Sequence, residues 1–167
     1  MKIFIGSDHA GLERKNEIIE FIKNYVEGSG SKGVVLGMSG GKDSFVVASL
    51  LVEALGFEKV FGVIMPNGNQ TDLDDAIFEC EFLKIKYSVL DIENLYNETV
   101  LLTKNALKTD ELTKVSLLNI APRVRMNVLY SVAGTLGFLQ EVKDYETDLF
   151  IDELKRGDYK IETHGIQ

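Results

Sequence analysis

The chain has 167 residues, 45% of them hydrophobic, which suits one globular domain with a real core and leaves too little chain for two large ones. A formal net charge of −8 excludes a general nucleic-acid surface, so no nucleic-acid partner is expected and any anionic ligand must meet locally positive groups. The single Cys80 excludes an intramolecular disulfide, no stretch approaches the roughly 20 apolar residues of a membrane span, and Met1 to Ile5 is too short for a signal-peptide core, so a cytoplasmic protein without a membrane partner is expected.

The pattern predicts a first strand over Lys2 to Ile5 and an amphipathic helix over Leu12 to Val26, with Leu12, Ile18, Ile19, Ile22 and Val26 on one side. Gly28-Ser29-Gly30-Ser31 then breaks the chain before Val34-Val35-Leu36-Gly37-Met38, which reads as a buried strand. The run Ser39-Gly40-Gly41-Lys42-Asp43-Ser44 separates that strand from a helix over Phe45 to Leu55, ended by Gly56. Lys59 to Met65 reads as a second core strand ended by Pro66-Asn67-Gly68-Asn69, and Thr71 as the cap of a helix running to about Leu83. A third strand over Ile85 to Leu90 and a helix over Ile92 to Leu107 follow. Residues 109–118 read as an irregular connection, and Pro122 as the opening of a helix to about Leu136, where proline costs no hydrogen bond. Beyond Gly137 a short strand over Phe138 to Val142 and a helix over Tyr145 to Lys155 are expected; Arg156 to Gln167 shows no period. Strands alternating with helices predict an α/β fold with a mostly parallel sheet and helices on both faces, Rossmann-like, whose ligands bind at the carboxyl ends of the strands.

The loop carries the chemistry. Gly40 and Gly41 let the backbone approach a ligand, and the unpaired N–H groups opening the next helix, backed by its dipole, point at an anion. An ordinary Gly-Gly turn with a Ser or Asp cap satisfies the same residues. The Walker A pattern is excluded, because Leu36 and Asp43 stand where it needs Gly and Ser or Thr. Ser-Gly-Gly-x-Asp-Ser resembles instead the pyrophosphate loop of the ATP pyrophosphatase superfamily, whose members cut ATP between its α- and β-phosphates.

Two further segments narrow the resemblance: Gly62 to Gln70 with the acidic start Asp72-Leu73-Asp74-Asp75, and Asn119-Ile120-Ala121-Pro122-Arg123-Val124-Arg125-Met126. With the loop, and in that order, they are similar to ammonia-dependent NAD synthetase over about Lys15 to Gly137. The expected organisation is thus one α/β nucleotide-binding domain over 1–167, with a strand and helix at 1–27, a synthetase-like core at 28–137 and an unmatched tail at 138–167. The resemblance implies adenylation of the nicotinate carboxylate of deamido-NAD by ATP, release of pyrophosphate, and displacement of AMP by ammonia. It implies ATP and Mg²⁺ as cofactors, deamido-NAD and ammonia as substrates, and a homodimer with the deamido-NAD site at the subunit contact.

The backbone from Gly40 to Ser44 and the hydroxyls of Ser39 and Ser44 suit phosphate oxygens, Lys42 adds charge where it turns inward, and Gly37 belongs to the same binding segment. Asp43, by the family's pattern, holds Mg²⁺ bridging the phosphates. Met65, with Asn67 and Gly68, is expected to line the adenosine pocket. Arg123 corresponds to the family arginine that contacts deamido-NAD. Arg125, roughly 200° further around the helix, is expected to be a structural ion partner. Asp72, Asp74 and Asp75 are explained by the helix dipole rather than by a metal, and Cys80 by the core. His164 has no identifiable partner.

Two segments depart from the pattern. Phe138 to Asp148 does not match the family's Gly-Thr-x-Asn-x-Ser-Glu-like segment, which contributes to the ATP and second metal sites, so an incomplete or chimeric ATP-binding piece of that family is the alternative expectation. Met1 to Glu13, with Asp8 and His9, resembles the opening of ribose-5-phosphate isomerase B, which leaves a sugar-phosphate isomerase as a third reading.

Overall fold

The computed structural model describes residues 9–68 and 71–140. The strand expected at Lys2 to Ile5, the helix at Tyr145 to Lys155, the tail and His164 lie outside them.

Four parallel strands form one sheet in the order β3-β2-β1-β4, with β1 at Val34–Met38, β2 at Val60–Ile64, β3 at Lys86–Val89 and β4 at Leu139–Gln140. Around it run α1 (His9–Gly28), α2 (Lys42–Leu55), α3 (Leu73–Leu83), α4 (Glu93–Leu107) and α5 (Lys114–Leu136), with one 3₁₀ turn at Phe57–Lys59 before β2. This is the predicted α/β architecture. Alternation along the strands divides the core in two. Val34, Leu36 and Met38 of β1, with Val60 and Ile64 of β2, pack with Ala48 and Leu51 of α2 and Ala76, Cys80 and Leu83 of α3. Val35 and Val63 face the other way, toward Val124, Val128, Leu129 and Ala133 of α5. Outside α2 lies α1, tied to it by an ion pair of 2.6 Å between Lys15 and Glu53.

The connections through α2 and α3 step outward from β1 to β3, whereas the connection through α4 and α5 returns past β1 to β4. Right-handed crossovers therefore place α2 and α3 on one face and α5 on the other. The reversal of direction falls between β1 and β4, at the end of β1 where Ser39 begins.

Several boundaries move from their sequence-based positions. Helix α2 starts three residues before Phe45, because Gly41 takes the N-cap position and its carbonyl accepts from the Phe45 N–H at 3.2 Å, which makes Lys42 to Ser44 its first turn. Asp72, not Thr71, caps α3: its carbonyl accepts from the Ala76 N–H at 3.1 Å, while the Thr71 hydroxyl donates to the Asp72 carboxylate at 3.0 Å. The largest correction concerns Pro122, which lies inside α5 rather than opening it. Thr113 starts that helix by accepting from the Ser116 N–H at 3.2 Å, so the last part of the expected 109–118 connection is helical. Thr113 supplies an ordinary N-cap, and the packing of Ala121, Val124 and Val128 on the sheet carries the helix past the proline.

Candidate functional site

The Ser39 loop leaves the carboxyl end of β1 and turns into α2 at the point where the strand order reverses, the usual ligand crevice of open α/β sheets. Its backbone turns at Gly40, which has a φ of 75°. A Cβ there would collide with the Asp72 carbonyl oxygen and come within 3.1 Å of the Ala76 nitrogen, so the loop sits directly against the start of α3.

Two serines hold its shape. The Ser44 hydroxyl, itself buried, donates to the Gly41 carbonyl at 2.8 Å. The 3.0 Å contact between the two hydroxyls must then be donated by Ser39, whose oxygen also accepts from the Gly41 N–H at 3.3 Å. The Ser39 N–H points at the Ser44 oxygen at 3.3 Å. The N–H groups of Lys42, Asp43 and Ser44 precede the first bond of α2, from Phe45 N–H to the Gly41 carbonyl, and are available to an anion.

Beside the loop opens a cavity of about 320 Å³, bounded by Gly37, Ser39 and Ser44, by Met65 and Pro66 after β2, by Asp72 of α3, by Arg125 and Leu129 of α5 and by Gln140 of β4. Of the expected ATP-site residues, Gly37, Ser39, Ser44 and Met65 line it, while Gly40 and Gly41 shape the loop behind it. Lys42 and Asp43 are exposed on the first turn of α2 and Asn67 and Gly68 are not part of the lining. Instead, Asp91 pins the turn after β2, its Oδ1 accepting from the Gly68 N–H at 3.3 Å and from the Glu93 N–H at 2.8 Å.

The two arginines part as their spacing predicts: Arg123 is exposed outside the cavity and Arg125 turns into it. Arg125, however, is no ion partner among the described residues. Its Nε donates to the Met65 carbonyl at 3.0 Å, tying α5 to the end of β2. Burial pulls the guanidinium below its ordinary pKa, and no carboxylate of the described residues offsets it. It leaves a positive charge facing the cavity where sequence reasoning expected only structure. Gln140 was likewise missed, since β4 reads as a short strand without motif.

As a metal site the arrangement is sparse. No group of three or more His, Cys, Asp or Glu that could hold an ion occurs among the described residues. One exposed carboxylate, Asp43, beside free N–H groups suits an ion that arrives already bound to phosphates, as Mg²⁺ does. Cys80 is wholly buried and its thiol pKa is pushed up to about 12 by that burial first and by Glu79 and Glu81 next, which makes it a core residue and not a nucleophile. Asp8 lies outside the described residues, and His9 opens α1.

A parallel sheet flanked by helices, with a serine-braced loop at its switch point, defines an open α/β domain of the Rossmann-like class. Residues 14–149 match the family described as NAD synthase, and the chain belongs to that family. It is 42% identical over 123 residues to the NH(3)-dependent NAD(+) synthetase of Thermococcus sibiricus, covering 74% of this chain and 46% of the relative. With that of Methanocaldococcus jannaschii it shares 36% over 154 residues, covering 90% of this chain and 59% of the relative. The fold superposes with a TM-score of 0.70 at 32% identity on the NH3-dependent NAD synthetase of Campylobacter jejuni, solved in complex with the nitrate ion, covering 84% of this chain and 59% of that one. The chain thus spans about half the length of the curated relatives it matches.

Proposed function

We propose that this chain carries the ATP-binding part of an ammonia-dependent NAD synthetase. The observation that bears most weight is the serine-braced loop at the β1 switch point, opening on one cavity with Arg125. In this reading Gly37, Ser39, Gly40, Gly41, Lys42, Asp43, Ser44 and Met65 bind ATP. The free N–H groups of Lys42 to Ser44 and the Ser39 hydroxyl, which can turn its proton from Ser44 to a ligand, receive the pyrophosphate end. Asp43 takes part in holding the Mg²⁺ that accompanies the nucleotide and neutralises charge on the departing pyrophosphate. Arg123, exposed on α5, faces deamido-NAD, since a guanidinium suits its phosphates or carboxylate.

The chemistry follows the family. The nicotinate carboxylate attacks the α-phosphorus, the bond to the β-phosphate breaks, and pyrophosphate leaves. Ammonia then attacks the activated carbonyl, the C–O bond to AMP breaks, a proton is lost, and the amide remains. A homodimer is proposed with it: α4 carries exposed Leu101, Leu102 and Leu107, and the first turns of α5 carry exposed Val115 and Leu118. A cytoplasmic location completes the reading; no described helix is long and apolar enough to cross a membrane.

Titrating MgATP with and without deamido-NAD and ammonia, while assaying AMP and pyrophosphate, tests the proposal. AMP formed only with deamido-NAD is the expected outcome; no ATP binding would overturn it. Because the chain spans about half of its relatives, a second reading is an ATP-binding piece without turnover, which would bind MgATP and form no AMP. Asp43→Ala is expected to abolish Mg²⁺-dependent nucleotide binding while leaving the melting temperature within a degree or two, because an exposed carboxylate contributes about 0.5 kcal/mol or less to stability.

A further inference from the structure

The floor of the cavity holds an unmet hydrogen-bonding demand. Gln140 pairs with Val35 in the parallel β1–β4 ladder, one position beyond the pair Val34 and Leu139. Leu139 packs with the α2–α3 side of the core and Val35 with the α5 side, so Gln140 is directed toward α5, where it lines the cavity with Arg125 and Leu129. Its Oε1 is buried and has no hydrogen-bond partner among the described residues. Turning the amide by 180° puts the NH₂ in the same buried position, so the group there still has to be met by a partner. The two hydroxyls that line the same cavity bond within the loop, Ser44 donating to the Gly41 carbonyl and Ser39 to Ser44. The remaining wall is largely apolar, and at Gly37 a Cβ would already touch Leu129 and Met65 at 3.6 Å.

A narrow apolar slot with one polar group at its end orients a flat heterocycle. At about 3.3 Å per residue, the Ser39 loop stands roughly 13 Å along the strands from the level of Val35 and Gln140. The lining itself runs from Ser39 and Ser44 of the loop to Gln140 of β4, which suits a nucleotide with its phosphates at the loop and its base beside the Gln140 amide. Resting on the ATP-binding reading above, we infer that Gln140 is a specificity-determining residue that reads the nucleotide base, its buried Oε1 accepting a hydrogen bond from an exocyclic amine. The bond supplies a partner that no described residue provides, and a site built this way rejects an analogue without the donor.

The test uses the full chain and calorimetric titration with inorganic pyrophosphate, MgATP and the magnesium complex of purine riboside triphosphate, which lacks the amine. The wild type is expected to bind MgATP roughly tenfold more tightly than the amine-free analogue. Gln140→Met, close in volume and apolar, is expected to bind both equally and to keep its pyrophosphate affinity. An unchanged preference in Gln140→Met overturns the role of Gln140. Pyrophosphate binding with no amine preference in the wild type overturns base reading and leaves the loop assignment standing; binding of neither pyrophosphate nor MgATP overturns both. A second measurement does not depend on the variant folding. In the ¹⁵N-labelled wild type, the Gln140 side-chain amide resonances should move with MgATP and stay with pyrophosphate, and no movement with MgATP overturns the inference.

Discussion

At Gly40 a positive φ and contact with the start of α3 coincide, so the residue answers two demands at once. Gly40→Ala meets strained backbone and a clash with the Asp72 carbonyl, and is expected to cost about 1–3 kcal/mol in urea unfolding and to weaken pyrophosphate binding. Neutral stability in that variant would show that the loop can move away from α3. Cys80 makes a pH-dependent prediction. Its native thiol pKa, about 12, stands above the ordinary value of 9.0, so the folded state holds its proton more tightly than the unfolded chain. The associated stabilisation is whole below the unfolded value and is lost as pH rises from about 9 through 12. Unfolding free energy should therefore fall over that window, and the fall should be shallower in Cys80→Ala, which removes the titrating group. Equal slopes in the two proteins would refute the assignment.

Among the elements, α5 departs furthest from its sequence pattern. Pro122 has no N–H to offer the Leu118 carbonyl, yet the helix continues for fourteen residues beyond it, to Leu136. Because the sheet-facing side of α5 is packed and Pro122 itself is exposed, Pro122→Ala is expected to stabilise the protein by about 1–3 kcal/mol, seen as a higher urea midpoint. A lower midpoint would mean that the ring contributes packing at the cavity edge. The same helix places Arg125 against Met65, sixty positions earlier in the chain. Asp91 similarly joins the turn after β2 to the start of α4, outside the cavity lining.

Across the whole molecule, the two faces of the sheet are covered but α4 and the start of α5 still expose several leucines. If these residues form a subunit contact, sedimentation at micromolar concentration should give twice the monomer mass, and Leu102→Glu should shift it toward 18.6 kDa by placing a charge in the contact. A wild type that sediments as a monomer would refute the homodimer.

The amino-acid sequence by itself determined the β1–loop–α2 unit, the order of strands and helices, and Gly56 as a helix end, because each rests on neighbours within a few residues: an apolar run, two glycines, a short polar turn. It also carried the family, through three separated segments. Only the tertiary structure decided that Lys42 and Asp43 stay exposed on the first turn of α2, that Arg125 turns into the cavity and bonds a carbonyl rather than an acid, that Pro122 is carried inside a helix, and that Gln140 comes to lie level with Val35. Those outcomes depend on contacts between residues dozens of positions apart, where the packing of α5 on the sheet outweighs local preference.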